Sequence, residues 1–171
     1  MHALHGRMNY LRTGEAIAAV AIPVVAVYRW LESTEPVWWE IRIAGLVLIS
    51  YILLQGTLYW HLKLRSFNGH GPLPTYFYSL YRGFKYSNVA GISLMLLAML
   101  LGAASATRAD LGWAAAMLAL VVLEQINYYH YQLMYDTRNA VAGLVRNRRL
   151  RKAALAIDLE RTRPKARAAQ H

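Results

Sequence analysis

A single carboxylate, Glu124, lies inside a long apolar stretch of the chain, where a charged group is costly if the stretch crosses a membrane. Asn127 and Tyr128 follow at positions i+3 and i+4, so a helix places all three side chains on one face. His130 lies at the edge of that face. Such a stripe suits a site that carries protons or binds a polar ligand. The alternative is a structural hydrogen bond from Glu124 to a polar residue of a neighbouring helix: Gln55, Ser50 or Tyr51.

The chain resembles itself at an offset of 69 residues, which aligns Gln55 with Glu124 and His61 with His130. Some transporters contain parallel repeats of this kind, related by an axis along the membrane normal. Because the repeat puts Gln55 and Glu124 at equal depth, we expect them to share one hydrogen-bonded layer. Coincidence between two apolar helices with aromatic ends is the alternative interpretation.

The histidines raise the question of a metal or haem. Imidazole is the commonest metal ligand in proteins, and His61 and His130 lie at matched depth, so a haem or metal held between them is one alternative. Apart from His2 and His5, no histidines are closely spaced, and the chain has no cysteine to supply a thiolate. We therefore expect no metal and no cofactor.

The composition identifies the elements that must position these residues. Hydrophobic residues make up 57% of the 171-residue chain and charged residues only 16%, against about 25% charged residues in an average soluble domain. A helix that crosses a bilayer needs roughly 20 mostly apolar residues. Four segments are candidates, at about residues 14–31, 41–61, 86–107 and 111–135. The sequence therefore predicts an all-α fold, a four-helix transmembrane bundle over residues 1–135.

The first of these spans is the weakest. It reaches spanning length only if Glu15 and Arg29 extend toward the two headgroup layers. It also contains Pro23, which leaves a backbone carbonyl without its helical partner, so a neighbouring helix must satisfy that carbonyl.

The charges that flank the four spans indicate their orientation. Lys and Arg predominate in the N-terminal stretch, in the second loop and in the tail, but not in the first and third loops. Cytoplasmic loops carry the excess of Lys and Arg in membrane proteins. We therefore expect both termini in the cytoplasm, with the bundle in the plasma membrane of a bacterium. The alternative, a cleaved signal peptide, requires small residues where Tyr28, Arg29 and Trp30 stand.

Aromatic residues concentrate near the ends of the spans, where Trp and Tyr favour the membrane–water interface. We expect two interfacial belts, formed by Trp30, Trp38, Trp39 and Trp113 at the outer boundary and by Tyr59, Trp60, Tyr86, Tyr128, Tyr129 and Tyr131 at the inner one. The aromatic segment at residues 76–84 is too short to span. It is expected to form a short interfacial helix or, alternatively, a lid over an inward-facing pocket.

The tail, residues 136–171, is rich in Ala, Leu and Arg and is expected to continue the fourth helix into the cytoplasm. Basic residues beside a membrane are attracted to anionic headgroups. The residues expected to contact lipid are Arg146, Arg148, Arg149, Arg151 and Lys152. No aromatic or motif pattern accompanies these charges, so we expect no nucleic-acid partner. Removal of the tail is expected to leave folding intact, because the four spans bury their apolar faces without it.

Two segments, LEQINYYHYQLMYD at residues 123–136 and YWHLKLR at residues 59–65, resemble small four-span bacterial membrane proteins of unassigned function. Some of those proteins are labelled general stress proteins. The resemblance implies the four-span topology and brings no catalytic residues with it.

These observations favour a small transporter-like or accessory membrane protein, without enzymatic activity, whose cytoplasmic half holds a polar cluster. The cluster is expected to comprise Glu124, Asn127, His130, Gln55, His61 and Tyr128. We expect a homo-oligomer or a membrane-protein partner. The alternatives are a membrane-embedded enzyme that uses His and Glu, with a metal or haem or on a lipid substrate, and a scaffold that works through its tail.

Overall fold

The structure is a computed structural model that describes residues 2–34, 36–134 and 150–164, with side chains described from Leu4 onward. Within these ranges the chain forms five helices, α1 His2–Leu31, α2 Trp39–Phe67, α3 Phe77–Gly102, α4 Arg108–Tyr129 and α5 Ala154–Thr162. The first four are long and apolar enough to cross a membrane. The predicted all-α fold with four spanning helices is confirmed, and the chain is a multi-pass membrane protein.

Helix α2 is the central element of the bundle. In its most apolar 18-residue stretch 50% of the residues are buried, against 28% in α4 and 11% in α1 and α3. It packs against α1 on one side and against α3 and α4 on the other. Most apolar side chains of α1 and α3 therefore face outward, where lipid replaces water as their solvent.

The helix ends differ from the predicted spans in ways that have local causes. The prediction of a separate interfacial helix or lid at residues 76–84 is wrong. Helix α3 runs without interruption from Phe77, and the side chains of Phe77 and Tyr81 are completely buried. Helix α4 begins at a capping box in which Thr107 accepts a hydrogen bond from the Asp110 backbone N–H and the Asp110 side chain accepts one from the Thr107 backbone N–H. It ends at Tyr129, before the predicted end of the fourth span.

Pro23 lies inside α1, and the carbonyl four residues before it belongs to Ala19. The Ser50 hydroxyl of α2 donates a hydrogen bond to that carbonyl at 3.0 Å. A proline removes the N–H that such a carbonyl would otherwise accept, and an unpaired carbonyl is costly in lipid. The prediction that a neighbouring helix satisfies the carbonyl is confirmed.

The buried side chains form two clusters, one toward each end of the bundle. The first, here called the tryptophan end, is built around Trp30, Trp38, Trp39 and Trp113 near the α1–α2 and α3–α4 connections. The second, here called the cavity end, contains Tyr59, Phe77, Tyr81 and Tyr128 near the α2–α3 connection and the end of α4. The aromatic residues thus form much of the interior.

The predicted interfacial belts are consequently wrong for several of their members. Trp30 is 2% exposed and Tyr59 1%, and Tyr128 and Tyr129 are equally well buried. Tyr86 is 62% exposed and Tyr131 is 50% exposed, as residues of an interfacial belt should be.

The short helix α5 packs against α3 and α4 at the cavity end. Leu155, Ala156 and Asp158 are buried there. The backbone just before it pairs with the end of α4, with Gln132 N–H donating to Arg151 O at 2.8 Å and Ala153 N–H to His130 O at 3.1 Å. The expectation that the tail continues the fourth helix is therefore wrong, because α4 ends at Tyr129 and the described part of the tail packs against the bundle. The expectation that the bundle folds without the tail stays a prediction.

Candidate ligand-binding site

A layer of uncharged polar side chains ties α2, α3 and α4 together in the interior. Gln55 and Asn88 exchange two hydrogen bonds, of 2.8 and 2.9 Å, and Asn88 donates a further one to Gln125 at 2.9 Å. Tyr129 donates to the Gln55 amide oxygen at 3.1 Å. Gln55 is 3% exposed and Asn88 0%. Because these groups satisfy one another away from any opening, the layer serves to fix helix register, and it is not a ligand site.

The prediction that Gln55 shares a hydrogen-bonded layer with Glu124 is therefore wrong, because another residue of α4 takes the place of Glu124. Successive residues of an α-helix are rotated by about 100° around its axis. Gln125 turns into the layer, and Glu124 turns toward a cavity and accepts a hydrogen bond from Asn127 of its own helix at 3.2 Å. The 69-residue alignment misses by one residue the α4 side chain that joins this layer, since Gln125 accepts a hydrogen bond from Asn88. Asn88, an uncharged amide in an apolar span, was the signal that sequence reasoning passed over.

The cavity lies between α1, α2, α4, the residues after α4 and the start of α5, and its volume is about 510 Å³. Its wall is mostly apolar. The polar exceptions are Arg7, Glu15, Lys63, Glu124, Asn127, Tyr128 and Gln132, with Tyr10, Tyr59 and Trp60 contributing rings. Three of the predicted cluster residues, Glu124, Asn127 and Tyr128, thus come together in one wall. Gln55, His61 and His130 do not line this cavity.

Glu15 is the functional candidate that sequence reasoning missed. It was expected to extend toward the headgroups, but it points into the bundle, where Trp60 Nε1 donates to its Oε1 at 3.0 Å. Glu15 Oε2 and the Tyr128 hydroxyl are buried, and neither has a hydrogen-bond partner among the described residues. Both occupy the space beside Gly56.

Gly56 is what admits these two groups. A Cβ at this position would lie 2.1 Å from Glu15 Oε2 and 2.2 Å from Tyr128 Oη, far inside van der Waals contact. Any side chain here would push the carboxylate and the phenol out of the interface between α1, α2 and α4. The inward orientation of Glu15 therefore depends on a glycine in another helix.

Helix α5 closes the cavity at the side of Lys63. The Tyr59 hydroxyl donates to Asp158 Oδ2 at 2.8 Å, and Lys63 forms an ion pair with the same oxygen. Asp158 is 4% exposed, so this contact joins α5 to α2 in the interior. The Lys63 charge is thereby compensated by a carboxylate that sequence reasoning had assigned to a dispensable tail.

The two histidines proposed for haem or metal lie elsewhere. His61 is exposed and borders an apolar groove between α1 and α2. His130 is exposed at the end of α4, and the pKa of its imidazole lies below the ordinary value because partial burial disfavours the charged ring and Lys85 repels it. Within the described ranges no group of three His, Cys, Asp or Glu side chains could hold a metal ion.

Of the basic residues expected to contact lipid, two are described. Arg151 is exposed, and Lys152 forms an ion pair with Glu160 while remaining half-exposed. Arg146, Arg148 and Arg149 lie outside the described residues.

The chain matches no protein-family model, and comparisons with curated proteins and with solved structures likewise found no match.

Proposed function

We propose that this protein is a small transporter-like or accessory membrane protein that binds a small amphipathic molecule in the cavity at its cytoplasmic half. One observation carries the proposal: a mostly apolar cavity of about 510 Å³ whose lining includes a few polar groups, Glu15, Glu124 and Tyr128 among them. Ligand sites have this character, with a largely apolar lining and a few placed polar groups. Carboxylates inside a membrane bundle usually serve a function.

The orientation in a bacterial plasma membrane is part of the same proposal. Lys63, Arg65, Arg82 and Lys85 flank the α2–α3 connection at the cavity end, whereas the two loops at the tryptophan end contain no Lys or Arg. This asymmetry supports a cytoplasmic location of the cavity end and of both termini. Arg151 and Lys152, with Arg146, Arg148 and Arg149, would then contact anionic headgroups. A reporter fused after His171 should read cytoplasmic and one inserted between Glu32 and Glu35 external. Opposite sides for the two termini would refute the four-span orientation.

The exposed apolar faces of α1 and α3 are compatible with a second copy of the chain or a membrane-protein partner, which we keep as part of the proposal. The enzyme alternative, built on His61, His130 and Glu124, receives no support from their placement, because the three side chains do not line a common cavity.

Cavity binding can be tested by filling the cavity. Gly14 borders it, and a Cβ there meets nothing within 4 Å, so Gly14→Leu introduces bulk without a clash. Gly112→Leu is the matched control, because Gly112 also has open space around it but lies outside the cavity. Both changes replace a helical glycine, so their effects on helix propensity are similar.

The probes are 2-phenylethanol, 2-phenylethylammonium and phenylacetate, offered to the full-length protein in nanodiscs of zwitterionic lipid. A molecule that binds only the folded state raises the thermal unfolding midpoint. We expect at least one probe to raise it in the wild-type protein and in Gly112→Leu, but not in Gly14→Leu. No shift with any probe, or equal shifts in both variants, would refute binding in this cavity.

A further inference from the structure

The charges on the cavity wall do not balance. Among the described residues of the wall, Glu15 and Glu124 are acidic and Arg7 and Lys63 are basic. Lys63, however, is already paired with Asp158 behind the wall. Counted with that partner, the group formally carries one negative charge in excess. An uncompensated negative charge in a low-dielectric cavity is costly, and it is removed either by a proton on a carboxylate or by a positively charged ligand.

The position of the excess charge is indicated by Glu15. One of its oxygens accepts a hydrogen bond from Trp60, but Oε2 has no partner among the described residues, and neither has the neighbouring Tyr128 hydroxyl, although Tyr128 is only 5% exposed. The Tyr128 hydroxyl can donate to the neighbouring carboxylate, but a carboxylate accepts several hydrogen bonds, so Glu15 can still accept one more donor. A donor that carries positive charge suits a carboxylate best.

The rest of the wall favours an organic cation over a metal ion. Hard metal ions take about six or more oxygen ligands in proteins, whereas most of this lining is hydrocarbon. Rings from Trp60, Tyr10 and Tyr128 border the same space, and aromatic faces attract organic cations. The hydrocarbon lining then accommodates the apolar part of the molecule.

We propose that the cavity binds a small monovalent organic cation with an apolar body, such as a protonated amine, with the positive group held by Glu15 and Glu124 and the apolar part against the lining of α1 and α2. This inference rests on the proposed function, since it names the class of ligand that the cavity takes. It assigns Glu15, whose Oε2 is fully buried, as the principal anion of the site.

The test compares the three phenylethyl probes, which share one ring and differ in charge. Binding to the full-length protein in zwitterionic nanodiscs is measured by saturation-transfer NMR, with empty nanodiscs as the reference for partitioning into lipid. We expect the ammonium probe to bind on the order of tenfold or more tightly than the alcohol, which corresponds to about 1.4 kcal/mol, and the carboxylate to bind most weakly.

Variants then locate the charge. Glu15→Gln keeps the side-chain shape and removes the charge, and it should weaken binding of the ammonium probe on the order of tenfold while changing binding of the alcohol little. Glu124→Gln should weaken it less. Glu40→Gln is the control, because Glu40 is an exposed carboxylate in the first turn of α2 at the tryptophan end. Thermal unfolding of each variant shows whether it is folded.

The outcomes separate the two proposals. If all three probes bind equally well, or the carboxylate binds best, the cation inference is overturned while ligand binding in the cavity stands. If Glu15→Gln is folded and retains full preference for the ammonium, the assigned anion is wrong. If no probe binds, both the inference and the proposed function fail. The wild-type comparison does not depend on any variant, so a Glu15→Gln protein that fails to fold leaves the inference falsifiable.

Discussion

The two ends of the bundle use polar groups in opposite ways. At the tryptophan end Arg42 and Asp110 form an ion pair of 2.8 Å with side chains only 2% and 3% exposed. Asp110 also accepts hydrogen bonds from the Trp38 backbone N–H and from the Thr107 hydroxyl, so both of its carboxylate oxygens are hydrogen-bonded. Trp30 packs edge-on against Trp113 at 5.5 Å and against Trp39 at 6.3 Å. The Trp30 indole N–H is buried at this end without a hydrogen-bond partner among the described residues, so the contrast with the other end lies in the charged groups.

At the cavity end, by contrast, polar side chains lie close together and some of their oxygens have no hydrogen-bond partner among the described residues. Glu15 and Tyr128 keep unpaired oxygens beside Gly56, and the neighbouring space of about 510 Å³ is not filled by side chains. Closing this end requires α5, an element from the end of the chain. Buried charge at the tryptophan end thus holds α2 and α4 together, whereas buried charge at the cavity end lines the proposed binding site.

The largest expected effect concerns the ion pair at the tryptophan end. Asp110→Ala leaves Arg42 buried without a partner and should lower the free energy of unfolding by about 3–5 kcal/mol. Glu32→Ala, which breaks the exposed pair with Arg29, should cost about 0–1 kcal/mol. Chemical unfolding in nanodiscs measures both. Equal costs for the two variants would contradict the assignment of the tryptophan end as the stabilising one.

The next effect separates the polar layer from the cavity. Gln55→Leu removes three hydrogen bonds and leaves Asn88 and Tyr129 short of partners, so it should cost about 1–3 kcal/mol. Glu124→Leu removes one hydrogen bond within α4 and should cost far less. The same unfolding measurement decides the order. A larger cost for Glu124→Leu would mean that the cavity carboxylate, and not Gln55, is the structural residue.

A third prediction concerns the closure of the cavity by α5. Asp158→Ala removes the acceptor for Tyr59 and Lys63, and we expect a loss of about 1–2 kcal/mol, since Lys63 is partly exposed and can still reach water. Glu160→Ala breaks only the exposed pair with Lys152 and is the control. Hydrogen exchange should rise at residues 130–134 and 153–162 in Asp158→Ala, with no change near Trp30. Uniform loosening of both ends would show that they are not independent.

The smallest effect belongs to the α1–α2 interface between the two ends. Ser50→Ala removes the donor to Ala19 O and should cost about 0.6 kcal/mol, the average for a hydrogen bond between membrane helices. In a Pro23→Ala background the helix supplies its own N–H, and Ser50→Ala should become nearly neutral. A double-mutant cycle measures this coupling. The absence of coupling would show that Ser50 does not act through the proline.

The sequence was sufficient for what depends on composition along single helices. The four spans follow from apolar length, and the need of Pro23 for an external donor follows from its missing N–H. The rotation of each helix about its axis was harder to predict. Apolar side chains face both the lipid and the interior, so hydrophobic periodicity does not show which of the adjacent residues Glu124 and Gln125 faces the neighbouring helices. The inward turn of Glu15 depends on Gly56 and Trp60 in another helix. Likewise, the nine-residue helix α5 resembles other short amphipathic segments in sequence. Its place in the bundle depends on Tyr59 and Lys63, which lie far from it along the chain.

The contacts of α1 have a consequence for biogenesis. Helix α1 is synthesised first, and its Glu15 carboxyl group and Ala19 carbonyl have no partner within α1 itself. Helix α2 supplies both missing partners, through Trp60 and Ser50, at positions that lie close to α1 in the folded bundle. Because unpaired polar groups are costly in hydrocarbon, the segment that enters the lipid with these two groups paired is the α1–α2 hairpin. The insertion machinery should therefore release α1 into the bilayer together with α2, with Tyr128 joining the assembly only when α4 follows.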